Sequence, residues 1–295
     1  MSTSFFSAET DLLSGVDSRA PVIAERLALS NRFASAYAVV LDGLMGRVSL
    51  RSSVVLHDQN AKWIAPYFSR LAIIQPVDAQ TRAEAFVEML GGRCDRSGHP
   101  LSGVRAIHDD MLNVIQALYR PRGEEPSRWL GSGEFEQFLT ITHQYGLFST
   151  GGAQGLAAEL AWGKDTALIT AAADERHPQL GHGLLLLLKL PVTLSKPAAD
   201  HLAVELNSAE ANTFAGSHLL GGWCSQALSG DKQLPVFASF VPNGAYWPGL
   251  VPTLVMSLAQ KARWARSQIA PYAADIGLPY PLQGDTGDGG SPGSS

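Results

Sequence analysis

Cysteine is nearly absent: Cys94 and Cys224 are the only two in 295 residues. Two thiols so far apart in the chain make neither a disulfide framework nor a cysteine-based zinc site, and they point to a reducing compartment. Charge is scarce as well, at 17% of residues against a usual share of about 25%. No run of Lys or Arg exceeds two residues and the net charge is −5. The basic stripe of a nucleic-acid binder is therefore missing. The strongest apolar run, 184–190 (LLLLLKL), falls far short of the ~20 residues of a membrane helix. The opening MSTSFF lacks the basic and apolar regions of a secretion signal. A cytoplasmic protein with neither a nucleic-acid nor a membrane partner is the expectation. Gly and Pro are near average abundance, which excludes collagen-like chains, and 45% hydrophobic residues exclude disorder for the bulk of the chain.

What is present is a mixed pattern of helical and strand periodicity. In the C-terminal half, 134–148 carries Phe135, Phe138, Leu139, Thr142 and Tyr145 at helical spacing. Strands follow at 156–162, 166–173 and 184–190, the second and third joined by a longer connection over 174–183. A helix at 198–212 leads to strands at 216–224 and 234–241, and a long amphipathic helix at 249–269 closes the unit. The order is α-β-β-β-α-β-β-α. Fold class is thus α+β, an antiparallel meander sheet with flanking helices. The N-terminal half reads as helix 21–35, strands 36–42 and 48–57, and helices at 61–74, 79–90 and 104–118. Its β-β-α portion matches the end of the C-terminal unit, with Asn60 falling on Asn243, so a partial repeat and a tandem pseudo-dimer are expected. The stretch 119–133 (YRPRGEEPSRWLGSG) breaks the periodicity with two prolines and three glycines. Domains are placed at 1–120 and 134–282, with a linker at 121–133 and a disordered tail at 283–295.

Candidates for chemistry are few. Asp174, Glu175, His177 and His182 form the densest polar cluster, but irregular spacing around Pro178 and Gly181 reads better as a polar hairpin loop than as a metal site. His57-Asp58 and His108-Asp109-Asp110 are each at most half of a metal-binding histidine–aspartate site, which also needs a separate His and a distant Asp held by helices, and such dipeptides are common by chance. Gly151-Gly-Ala-Gln-Gly155 has no Lys-Ser/Thr behind it, so it reads as a helix C-cap and turn, not a phosphate cradle. Ser14, Ser149, Ser225 and Ser239 lie in no Gly-x-Ser-x-Gly frame. The expectation is a protein without catalytic residues, metal or cofactor; a metal-dependent hydrolase using the 174–182 loop is the alternative. Aromatic residues are more suggestive. Trp223, Phe237, Tyr246 and Trp247 are expected to contribute a partner-facing apolar surface, because Tyr246-Trp247-Pro248-Gly249 stands at a strand-to-helix corner where burial of two large rings is hard.

The order of elements in 134–269 resembles class I type III secretion chaperones and the related YbjN-like proteins. The resemblance rests on element order, length, acidity and the apolar hairpin running into a long helix. It implies a non-enzymatic cytoplasmic protein, a chaperone or adaptor that holds a protein partner such as a secreted effector or toxin, or that self-associates. In that family the sheet and helix surfaces hold an unfolded segment of the partner by strand or helix addition. This chain is about twice the usual length, so an internal pseudo-dimer stands in place of the homodimer.

Overall fold

Alternation of apolar residues with polar or small ones builds two antiparallel sheets, and the helices between them close over the apolar faces. The computed structural model describes residues 3–20, 22–33, 35–94, 125–144, 148–213 and 218–269. The first part runs β1 (Thr3–Ser14), α1 (Ile23–Arg32), β2 (Ala38–Asp42), β3 (Arg47–His57), α2 (Ala61–Leu90) and β4 (Arg93–Cys94). The second begins with α3 (Glu134–Gln144), then β5 (Ser149–Gly152), β6 (Gly155–Trp162), β7 (Asp165–His177), β8 (Gly181–Lys189) and β9 (Leu194–Ser195). It ends with α4 (Lys196–Asn212), β10 (Gly222–Ser229), β11 (Lys232–Pro242), a 3-10 turn at Asn243–Ala245 and α5 (Leu250–Ile269). The smaller sheet has the order β2-β3-β1-β4 and the larger β10-β11-β8-β7-β6-β5, with β9 added beside β11. All pairings are antiparallel. The fold is α+β with antiparallel sheets and flanking helices, and the expected α-β-β-β-α-β-β-α order of the C-terminal unit is present, supplemented by the short β5 and β9.

Several elements differ from the sequence reading, each for a physical reason. β1 carries Phe5 and Phe6 in succession with polar residues after them, so it shows no clear alternation. Its pairing to β3 from Thr3↔His57 to Leu13↔Val48 makes it a strand. The helices expected at 61–74 and 79–90 are one 30-residue helix that contains Pro66 and Pro76. Each internal proline forfeits a hydrogen bond and costs about 3 kcal/mol. The buried Gln75, just before Pro76, offsets part of this by accepting from Ser52 Oγ (3.2 Å) and donating to the Leu50 carbonyl. The glycines at 151–155 are not a helix cap but part of the β5–β6 hairpin. A Cβ on Gly155 would stand 2.1 Å from the Ala171 carbonyl of β7, so only glycine lets β6 and β7 meet there. The connection expected over 174–183 is mostly strand, because β7 reaches His177 and β8 starts at Gly181. The strand placed at 216–224 begins later, at Gly222. The segment 104–118, His108 with its two aspartates, and the tail 283–295 lie outside the described residues.

The main core joins the two parts of the chain. Val40, Val54, Ile64 and Tyr67 share one apolar cluster with Trp129, Phe135, Leu186, Trp223, Phe237 and Leu254. A second cluster under the smaller sheet holds Leu13, Leu27, Val39, Leu50 and Phe86. Trp129, in the stretch read as a linker, is fully buried.

Candidate functional site: an aromatic corner between the two sheets

The corner forms where β11 must turn into α5. Asn243 opens the 3-10 turn, and its side chain accepts from Arg128 N–H (2.9 Å) and donates to the Pro126 carbonyl (2.9 Å). The 126–128 segment is thereby fixed against the corner, and Ser127 N–H adds a bond to Asp174 (3.2 Å). Trp129 follows, its ring edge-on to Tyr246 at 5.0 Å between centroids. From α2, Arg70 donates to the Tyr246 carbonyl (2.7 Å) while its guanidinium lies over the Trp247 ring at 5.2 Å. Trp63, also on α2, presses on Gly249. A Cβ there would stand 2.4 Å from Trp63 Nε1, and the backbone has φ +84°, so glycine is required twice over. Glu134, at the start of α3, accepts from Val251 N–H in the first turn of α5 (3.0 Å). That places a carboxylate at a helix N-terminus, where the dipole favours negative charge. Burial, and secondarily the Glu134 carboxylate, push the Tyr246 hydroxyl above its usual range. Tyr246 and Trp247 remain partly accessible, and Pro248 is exposed.

Trp223 and Phe237 do not belong to this surface. They pair in register across β10 and β11, pack edge-on at 5.4 Å, and are 0% and 1% exposed. Facing the interior, they are core residues; a partner could reach neither without opening the sheet. The Trp223 indole donates to Glu210 Oε2 (2.9 Å), and Glu210 also binds the Lys261 ammonium, which lies 4.1 Å over the Phe237 ring. Lys261 is held below its usual range chiefly by burial, which the Glu210 carboxylate opposes. Nearby, His218 Nδ1 accepts from Val55 N–H (3.1 Å), and burial, followed by the Lys261 and His57 charges, lowers its pKa to about 3. The void between His218, Ser239, Ser257 and Lys261 measures about 10 Å³, the scale of one water molecule, and admits no organic ligand.

The 174–182 loop does not assemble as a metal site. His177 Nε2 donates to the Phe33 carbonyl (2.8 Å), Nδ1 accepts from Gln179 and Leu180 N–H (3.2 Å each), and the ring stacks on Phe240 at 4.9 Å. Both ring nitrogens are committed to structure. His182 Nδ1 meets Asp174 Oδ1 at 2.6 Å and completes the hairpin. Among the described residues no group of three or more His, Cys, Asp or Glu is placed to hold a metal ion. No helix of the described residues is long and apolar enough to cross a membrane.

No protein-family model matches the chain, and neither a curated protein nor a solved structure is significantly similar to it.

Trp63, Arg70, Trp129 and Glu134 were not singled out in the sequence, although they complete the corner. Each is an ordinary residue of an amphipathic or polar stretch. Only the packing of α2, the 126–134 segment and α5 brings them together.

Proposed function

We propose that this chain is a non-enzymatic protein-binding module, a cytoplasmic chaperone or adaptor that holds a protein partner, in keeping with its resemblance to class I type III secretion chaperones and YbjN-like proteins. The observation that carries the reading is the corner of Tyr246 and Trp247 under Arg70. Trp, Tyr and Arg are the residues that dominate binding energy at protein interfaces. Here they are held rigidly by three segments, so little conformational entropy is lost on docking. Trp247 is only partly covered, with an exposed proline beside it.

The test is Trp247→Ala in the full chain, with a partner first identified by co-purification with the wild-type protein. Binding should weaken by ~2 kcal/mol, roughly thirtyfold, while the thermal unfolding midpoint stays nearly constant. A core tryptophan would instead cost about 3–5 kcal/mol of stability. A variant that unfolds early and binds normally while folded removes Trp247 from the surface and the reading with it.

A further inference from the structure

We infer that the chain holds two copies of one strand–helix–hairpin–helix unit, joined through a surface by which the unit recognises itself. The first copy is β1, α1, β2, β3 and α2; the second is β8, α4, β10, β11 and α5. Strand neighbours run β2-β3-β1 in the first and β10-β11-β8 in the second, antiparallel throughout. A shared order could arise by chance in small sheets, so the argument rests on side chains.

Each unit places one buried asparagine on its helix to clamp one residue of the following strand. Asn31 Nδ2 donates to the Val39 carbonyl (2.9 Å) and its Oδ1 accepts from Val39 N–H (2.7 Å). Asn207 does the same to Trp223, at 2.8 Å and 2.8 Å. Val39 and Trp223 are therefore equivalent. Across the hairpins Val39 faces Leu50 and Trp223 faces Phe237, so those two correspond as well. Equal steps along the chain then match Ser35 with Leu219 and Ser53 with Phe240. This register differs by four residues from the match of Asn60 with Asn243 that the sequence suggests.

The contacts between units support the equivalence by exchanging positions. Ser53 and Leu219 form a two-bond backbone bridge, N–H to carbonyl at 3.0 and 2.9 Å. In return, Ser35 Oγ donates to the Phe240 carbonyl at 3.1 Å. The same pair of positions meets with the units interchanged, once through two backbone bonds and once through a side-chain hydroxyl, which is the pattern of an isologous, two-fold interface. The helices follow suit: α1 packs on α4, α1 also lies on β10, and α4 on β2. Asn31 reaches across as well, since a Cβ on Gly222 would stand 2.2 Å from its Oδ1. The partner that this α1–β2 surface fits is thus a second copy of the same unit, and the chain supplies that copy itself. This inference does not depend on the protein-binding reading.

Amide hydrogen exchange of the full chain tests it. Asn31→Ala should speed exchange at Val39 in its own unit and at Gly222 in the other, and Asn207→Ala should speed Trp223 and, across the interface, Ala38. A response confined to the unit that carries the substitution overturns the reciprocal interface. If either variant fails to fold, an experimentally determined wild-type structure decides. Superposing the first unit on the second should require a rotation close to half a turn, and a rotation far from that refutes the proposal. Neither outcome bears on whether Trp247 binds a partner.

Discussion

Acid should destabilise this protein through one histidine. His218 is buried with Nδ1 accepting the Val55 N–H, so only the neutral ring fits, and its pKa falls from 6.5 to about 3. The unfolded chain binds the proton near 6.5 and the folded one near 3. Between those values the unfolded state holds more protons, so stability is complete above about pH 6.5 and declines as pH falls. The slope is about 1.4 kcal/mol per pH unit, which accumulates to about 2.5 kcal/mol between pH 7 and pH 4.5. Other groups titrate in the same range, so the comparison must be with His218→Asn, whose amide oxygen can accept the Val55 N–H without titrating. Chemical denaturation of both proteins across this pH range is the assay. The wild type should lose ~2.5 kcal/mol more than the variant on going to pH 4.5. Parallel curves would show that His218 is accessible or protonated in the folded state, and the buried polar cluster around it would need to be redrawn.

Lys261→Met should destabilise by about 3–5 kcal/mol, because it leaves the buried Glu210 carboxylate without its cation, whereas replacing both partners with apolar residues should cost far less; a double-mutant cycle by thermal unfolding measures the difference. Gly249→Ala should cost about 1–3 kcal/mol from backbone strain alone, with displacement of Trp63 read as a change in tryptophan fluorescence. Burial raises the Cys224 thiol to about 12, so a thiol reagent at neutral pH should leave it unmodified in the folded protein and label it only after denaturant is added. Rapid labelling of Cys224 in the native state would mean that α1 does not stay over β10.

The sequence was most legible where one face of an element is clearly wet. Helices α3, α4 and α5 and strand β6 lie within a few residues of where periodicity places them, while β8 and β11 are legible instead as short apolar runs closed by prolines. It was least legible where tertiary contacts override local preference. β1 pairs along β3 although its own sequence shows no alternation, and α2 passes through Pro76 with Gln75 tying the helix to the sheet. For the candidate site, composition correctly drew attention to the aromatics. It could not say which of them face inward, since β11 and the start of β10 are buried on both faces. Register puts Trp223 and Phe237 inside, while the turn at Asn243 leaves Tyr246 and Trp247 at the rim.

On the proposal that one chain carries both copies of a self-recognising unit, the effect of mutation changes. In a homodimer every substitution strikes both sides of the interface at once, so each side must tolerate what the other needs. Here the sides are free to diverge. The position of Val39 in one unit holds Trp223 in the other, with a buried Glu210–Lys261 pair built around it. Covalent linkage also holds the two surfaces at an effective concentration on the order of millimolar. The association no longer depends on how much protein the cell makes, and dilution that would dissociate a weak dimer leaves this one assembled.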